Sequence, residues 1–219
     1  MRANKEEMQT HENGPLTITK FPHLGPFDNN AYLIAHREAG EAIILDMPAG
    51  SRELIDAIGD LKVTAVLLTH THADHWADYD LVKSATGAPV FCHPAEVIMP
   101  AAKIDRPLAD GDEMAAGSAI VRALHTPGHT PGSTCYIVGE ILFSGDVLFP
   151  GGPGRTQTPS DLGQSIASIT ERLYPLPDET LVLPGHGADT TIADSKREYA
   201  VFASRDHPPD LCGDVTWAG

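Results

Sequence analysis

Thr69-His70-Thr71-His72-Ala73-Asp74-His75 places three imidazoles and a carboxylate in one short stretch. Such a density of ligand-type side chains marks a metal-binding array, because neither helical nor strand packing has a use for it. The residues just before it, Val63 to Leu68 (VTAVLL), are short, apolar and β-branched at one end, which reads as a buried strand. The array therefore begins where a strand stops, a rigid place from which to project ligands. Side chains two apart on extended backbone point the same way, so His70 and His72 face one point. Asp74 and His75, past the bend, face a neighbouring one. Two adjacent metal positions are expected.

Working outward, strands are expected over Leu16–Phe21, Ala31–Ala35 and Glu41–Leu45, the last running into Asp46-Met47-Pro48-Ala49-Gly50. Ser51 caps a helix reaching Ile58, a second helix covers Ala77–Ala85, and Pro89–Cys92 is a strand. Prolines and glycines break up the middle of the chain before a strand at Ala119–Leu124, which leads into His125-Thr-Pro-Gly-His129-Thr-Pro-Gly. Thr134–Val138 and Ile141–Phe143 read as a hairpin delivering Ser144-Gly145-Asp146. A helix from Ser160 to about Tyr174, a strand at Thr180–Leu183, the loop Pro184-Gly185-His186-Gly187 and a helix over Asp194–Ala203 complete the series. Strands with interspersed helices, in two comparable halves, predict α/β layering with sheets inside and helices outside. Residues 1–14 are polar and are expected to form a flexible tail, with 15–219 as a single domain. Asp46, the array, His129, Asp146 and His186 each follow a strand, where binding sites in sheet proteins gather.

Composition narrows the function. A formal charge of −15 and a pI near 4.9 have the wrong sign for neutralising nucleic-acid phosphates. No membrane-length apolar run and no secretory leader pattern occur, and Cys92, Cys135 and Cys212 are an odd number without C-x-x-C spacing. A cytoplasmic protein is expected, acting on a small-molecule substrate, with no nucleic-acid or membrane partner; a homodimer is left open. His93 reads as a strand-end loop residue, His125 as a loop residue four before His129, and Ile166, Ile169 and Leu173 as a core helix stripe.

Five motifs in order, ILDMPAG (44–50), THTHADH (69–75), HTPGHTPG (125–132), SGDVLFPGGPGRT (144–156) and LPGHG (183–187), resemble the metallo-β-lactamase-fold superfamily, and most closely its glyoxalase II-type hydrolases. The resemblance implies a four-layer αββα sandwich. It implies that His70, His72 and His129 hold one metal, that Asp74, His75 and His186 hold a second, and that Asp146 bridges them. Asp46 would orient a ligand. The implied cofactors are two divalent ions, zinc foremost, with iron or manganese also suited to these donors. The implied activity is hydrolysis of a small thioester of the hydroxyacyl-thiol type by a metal-bridging hydroxide, with Asp74 handling its proton. Arg155 is expected either to bind a substrate carboxylate or to fix its own loop. The runner-up is a mono-iron persulfide dioxygenase, which THTHADH, HTPGHTPG and Gly154-Arg155-Thr156 also resemble. A ribonuclease Z-type nuclease is opposed by the acidic charge, and a β-lactamase by the bridging aspartate.

Overall fold

Asn29–His36 (NNAYLIAH) is buried along its whole length. A strand with no solvent face has something packed on each side, and the rest of the chain supplies it. In the computed structural model, which describes residues 8–217, this strand is β3 of a seven-stranded sheet ordered β1 to β7. Its members are Gln9–Asn13, Leu16–Leu24, Asn29–His36, Glu41–Leu45, Lys62–Leu67, Val90–Cys92 and Arg106–Pro107. A second, six-stranded sheet runs β15-β14-β11-β10-β9-β8. In chain order these are β8 (Glu113–Ala116), β9 (Ala119–His125), β10 (Thr134–Val138), β11 (Ile141–Gly145), β14 (Leu181–Pro184) and β15 (Thr190–Thr191). A small hairpin of β12 (Leu148–Phe149) and β13 (Gly152–Pro153) stands apart.

Period-two alternation sorts the apolar side chains into layers. Ile18, Tyr32, Ile34, Ile43, Leu45 and Leu67 of the first sheet meet Val121, Tyr136, Val138, Phe143 and Leu183 of the second in the central core. The intervening residues Leu33, Ile44 and Val66 face outward onto α1 (Arg52–Ile58) and α2 (Tyr79–Thr86) through Leu54, Ile58 and Val82. Leu124, Leu142 and Val182 face outward onto α3 (Pro159–Ser168) and α4 (Ile192–Ala203) through Leu162 and Phe202, with Trp217 beside them. This is the expected four-layer αββα sandwich. Each fully buried aliphatic or aromatic side chain contributes about 1.5–3 kcal/mol, so three such layers dominate the stability.

Parallel pairing requires crossovers, and the helices provide them. β4, β5 and β6 are parallel in the first sheet and β11 and β14 in the second. The carboxyl ends of β4, β5, β11 and β14 meet at one end of the sandwich, where hydrogen bonds join the two sheets. Thr134 N donates to Thr69 O at 2.8 Å, the Tyr136 hydroxyl to Leu68 O at 2.7 Å, and Asn30 N to Gly185 O at 2.7 Å.

Three expectations need correction. Residues 9–13, assigned to a flexible tail, form β1 and pair antiparallel with β2 from Gln9–Lys20 to Asn13–Leu16; residues 1–7 lie outside the described residues. Polarity misled here because an edge strand exposes one of its faces, and Thr10 and Glu12 are on that face. Ser51 precedes α1 without a side-chain cap, since its hydroxyl donates to Pro48 O and the Asp78 carboxylate instead receives the N–H groups of Gly50 and Ser51. The helix expected to run to Tyr174 is α-helical only to Ser168 and continues as one π-type turn, Ile169–Leu173.

Candidate metal centre

After β5 the chain turns through a single 3-10 turn, Ala73–Trp76, that folds the array back on itself: His75 N donates to His72 O at 3.0 Å. The Trp76 indole donates to Thr71 O at 3.0 Å and pins the same turn. Across the end of the sandwich, His129 arrives after β9, Asp146 after β11 and His186 after β14. Among the described residues, three groups have ligand-type atoms within 4.8 Å of one another: His70, His72 and His129; His70, His75 and Asp146; and Asp74, His75 and His186. All seven side chains read as ligands from the sequence are thus brought together. Asp146 lies between the two outer groups, its Oδ2 3.6 Å from His129 Nε2 and 3.5 Å from His186 Nε2 and its Oδ1 3.5 Å from His75 Nε2.

The imidazole tautomers follow from what the outward nitrogens touch. His129 Nδ1 donates to Arg155 O at 2.8 Å, His186 Nδ1 to Phe27 O at 2.8 Å, and His75 Nδ1 to Asp46 Oδ2 at 2.9 Å. His70 Nδ1 donates to the Thr69 hydroxyl at 3.1 Å, which in turn donates to Asp46 Oδ2 at 2.8 Å. Asp46 therefore orients two imidazoles, one directly and one through Thr69, as expected of a residue that sets ligand tautomers. With the outward nitrogens carrying hydrogen, the inward ones present lone pairs to each other. His72 Nδ1 faces His70 Nε2 at 3.0 Å and His129 Nε2 at 2.9 Å, and His75 Nε2 faces His186 Nε2 at 3.2 Å. Facing lone pairs at these distances repel unless a cation or proton sits between them. Asp146 Oδ1 is buried without a hydrogen-bond partner, and a buried carboxylate oxygen in that position also calls for a cation. Imidazole and carboxylate donors so arranged fit divalent metal ions.

The electrostatics agree. Burial disfavours charge on His75, yet Asp146 and Asp46 outweigh it and hold its pKa well above the usual imidazole value. His186 is also desolvated, and its contacts with Asp146 and Asp74 push it up to about 10. Burial and the neighbouring His75 keep His70 well below. Asp146 is largely desolvated, but His75, His186 and His70 hold its carboxyl far below the ordinary range; Asp74, half-buried, is lowered by His186 and His75. The carboxylates attract positive charge, so protons and metal ions compete for the centre. Gly185 in LPGHG is required by close approach, since a Cβ there would run into Asp146 Oδ1.

Other sequence candidates fall elsewhere. His125 stacks on His93 with ring centroids 3.8 Å apart and 7° between planes, and its Nε2 reaches Pro131 O, so it does not join the cluster. The Arg155 guanidinium pairs with Asp214 at 2.7 Å while its carbonyl holds His129. Sequence reasoning missed Asn29, whose amide donates to Asp74 Oδ2 at 2.8 Å, and Asp214; neither sits in a motif that spacing reveals. A cleft of about 370 Å³ opens over the cluster between His129, His186, Phe149, Arg155, Asp214 and Val215. A largely apolar hollow of about 260 Å³, formed by Pro26, Phe27, Ala49, Ala73 and Ala77, has Asn29 and Asp74 in its wall.

The chain is 37% identical over 165 residues to a hydroxyacylglutathione hydrolase of Polaromonas, a match covering 73% of this chain and 62% of that one. Its structure is similar to that of BLEG-1, a B3 metallo-beta-lactamase, with TM-score 0.72, 32% identity and coverage of 82% and 96%. It is also similar to ETHE1 of Myxococcus xanthus, with TM-score 0.71, 29% identity and coverage of 92% and 86%. TTHA1623, solved in a di-iron-bound form, gives TM-score 0.68, 34% identity and coverage of 81% and 97%. The family model of the metallo-beta-lactamase superfamily matches residues 24–186, every cluster residue included, and this chain belongs to that superfamily.

Proposed function

We propose that this protein is a binuclear metallo-hydrolase that cleaves a small thioester. The observation that carries the reading is the shared position of Asp146 between two donor groups whose imidazole lone pairs converge. His70, His72 and His129 would hold one ion, Asp74, His75 and His186 the other, and Asp146 both. Zinc is the first choice, and the di-iron form of the similar TTHA1623 keeps iron in view. Bound ions of this kind lower the pKa of water to about 7 and polarise a carbonyl.

The chain's own residues do the rest. Asn29 donates to Asp74 Oδ2, the oxygen that faces His186 Nε2 at 3.4 Å and His75 Nε2 at 3.6 Å, and so fixes the carboxylate that would orient the attacking water and receive its proton. Asp46 fixes the tautomers of His70 and His75, so the donors need no rearrangement. A thiolate departs without a strong general acid, so the chemistry asks for none beyond the cluster itself. Phe149 and Val215 give the cleft apolar walls for an acyl or thiol chain. Arg155 pairs with Asp214 at an exposed site, a contact that competes with its binding a carboxylate-bearing carrier such as glutathione, and selectivity for the thiol is loose. Three free thiols fit a reducing cytoplasm, and no helix among the described residues is long and apolar enough to cross a membrane.

Elemental analysis should give two ions per chain, and Asp146→Ala should lose both, since this carboxylate alone touches both donor groups. Purified enzyme is then offered S-lactoylglutathione, simpler acyl thiols and glutathione persulfide, with thiol release and dissolved oxygen followed together. Anaerobic thiol release from esters is the expected result. The resemblance of THTHADH, HTPGHTPG and Gly154-Arg155-Thr156 makes a mono-iron persulfide dioxygenase the competing reading. One iron per chain, oxygen uptake with the persulfide and inertness toward every ester would establish that reading instead.

A further inference from the structure

Glu96 carries no ligand-type role in any motif, yet it is 7% exposed and its carboxylate is surrounded by four donors. Oε2 accepts the Thr71 N–H at 3.0 Å and the Thr71 hydroxyl. Oε1 accepts the Gly132 N–H at 3.0 Å and the Thr130 hydroxyl. Thr71 stands between His70 and His72, and Thr130 follows His129. Each oxygen of one carboxylate therefore serves one of the two loops that bring the His70, His72 and His129 group together. Those loops leave different sheets, β5 of the first and β9 of the second. Gly132 is part of the same fit, because a Cβ there would meet Glu96 Cγ at 2.6 Å.

We infer that Glu96 is a positioning residue that clamps the two histidine loops together and sets the geometry of the first metal position without touching the ion. The inference rests on the two-ion reading above. The chemistry requires a carboxylate: only a carboxylate is acceptor-only on both oxygens, and here each oxygen faces a backbone N–H, of Thr71 or Gly132, that can only donate. A glutamine satisfies one loop and turns its NH2 toward donors of the other, which pushes the loops apart. The Asp74, His75 and His186 group has no contact with Glu96, so a clamp affects one position and spares the other. Removing a supporting partner of a metal ligand ordinarily costs 10–100-fold in metal affinity.

The test is metal affinity, read by cobalt(II) titration of the metal-free full chain through visible absorption and chelator competition. Glu96→Gln is placed in two backgrounds. In His186→Ala, which retains the first position, Glu96→Gln should weaken cobalt binding about 10–100-fold and alter the cobalt band pattern. In His129→Ala, which retains the second, it should leave affinity unchanged. Thr71→Val, which removes one hydroxyl and keeps the N–H, should shift the first position in the same direction by less, and serves alone if Glu96→Gln does not fold. Equal losses at both positions, as general destabilisation would give, or no loss at the first, overturn the clamp. A wild-type chain that takes up one ion refutes the two-ion reading, and Glu96 is then judged on that ion, with unchanged affinity counting against it.

Discussion

Asp46 stands at φ 58, a left-handed conformation that asparagine and aspartate visit more readily than other residues bearing a Cβ. The turn brings its carboxylate beneath the array, where Oδ1 receives Thr69 N at 2.9 Å and Oδ2 serves both Thr69 and His75. Strain of this sort costs about 1–3 kcal/mol and persists where surrounding contacts fix it. The cysteines illustrate the opposite case, chemistry suppressed by burial. Desolvation pushes the Cys92 and Cys135 thiols up to about 12 from an ordinary value of 9.0, with Glu96 adding to the effect on Cys92. Their raised values contribute native stability that is complete below pH 9.0 and is lost as pH rises toward 12. A thiol-reactive chromogenic disulfide at pH 8 should accordingly titrate Cys212 alone in the native protein and all three cysteines after denaturation. Rapid reaction of two or more thiols in the native state would show that these side chains are not shielded as the structure has them.

At the scale of elements, the loop after β14 is held by β2 and β3. Lys20, 1% exposed, extends Nζ to Gly187 O at 2.8 Å and to Asp189 Oδ1 at 2.5 Å. The Asn30 amide reaches Pro184 O and Gly187 O, and the Tyr32 hydroxyl reaches Pro184 O at 2.6 Å. His186 is therefore fixed by the first sheet although its loop follows a strand of the second. Lys20→Met leaves Asp189 without its cation, while Gly187 O keeps the Asn30 amide, and breaking a largely buried pair from one side costs about 3 kcal/mol. Urea unfolding should show a lower midpoint with the slope unchanged, and Lys20→Met combined with Asp189→Leu should recover much of the loss. A midpoint unmoved by Lys20→Met would mean that the loop holds without this anchor.

For the molecule as a whole, the interface between the sheets is the central buried layer, and Phe143 lies within it with its ring 5.0 Å from that of Tyr32 in an edge-on arrangement. Phe143→Ala should cost about 3–5 kcal/mol by opening a cavity between the sheets. Ile120→Ala, at a side chain 45% exposed near the start of β9, should stay within about 0.5 kcal/mol. Comparable losses for the two would contradict a core seated between the sheets. The sequence by itself determined the strands that alternate or run apolar, Glu41–Leu45 and Thr134–Val138 among them at the same bounds, because period-two burial is written locally. It also determined the seven convergent side chains, because each follows a strand within a dense polar motif. It did not reveal β1, β7 or β8, short edge segments whose polar or mixed residues carry no clear apolar period although β1 and β8 pair with the very next strand. Nor did it reveal Asn29, Glu96, Lys20 or Asp214, each an ordinary polar residue whose partner lies 20 or more positions away. Periodicity records which face a residue turns to the core, whereas the partners of a single buried carboxylate or ammonium are fixed only when two sheets close on each other, and the tertiary structure alone decided them.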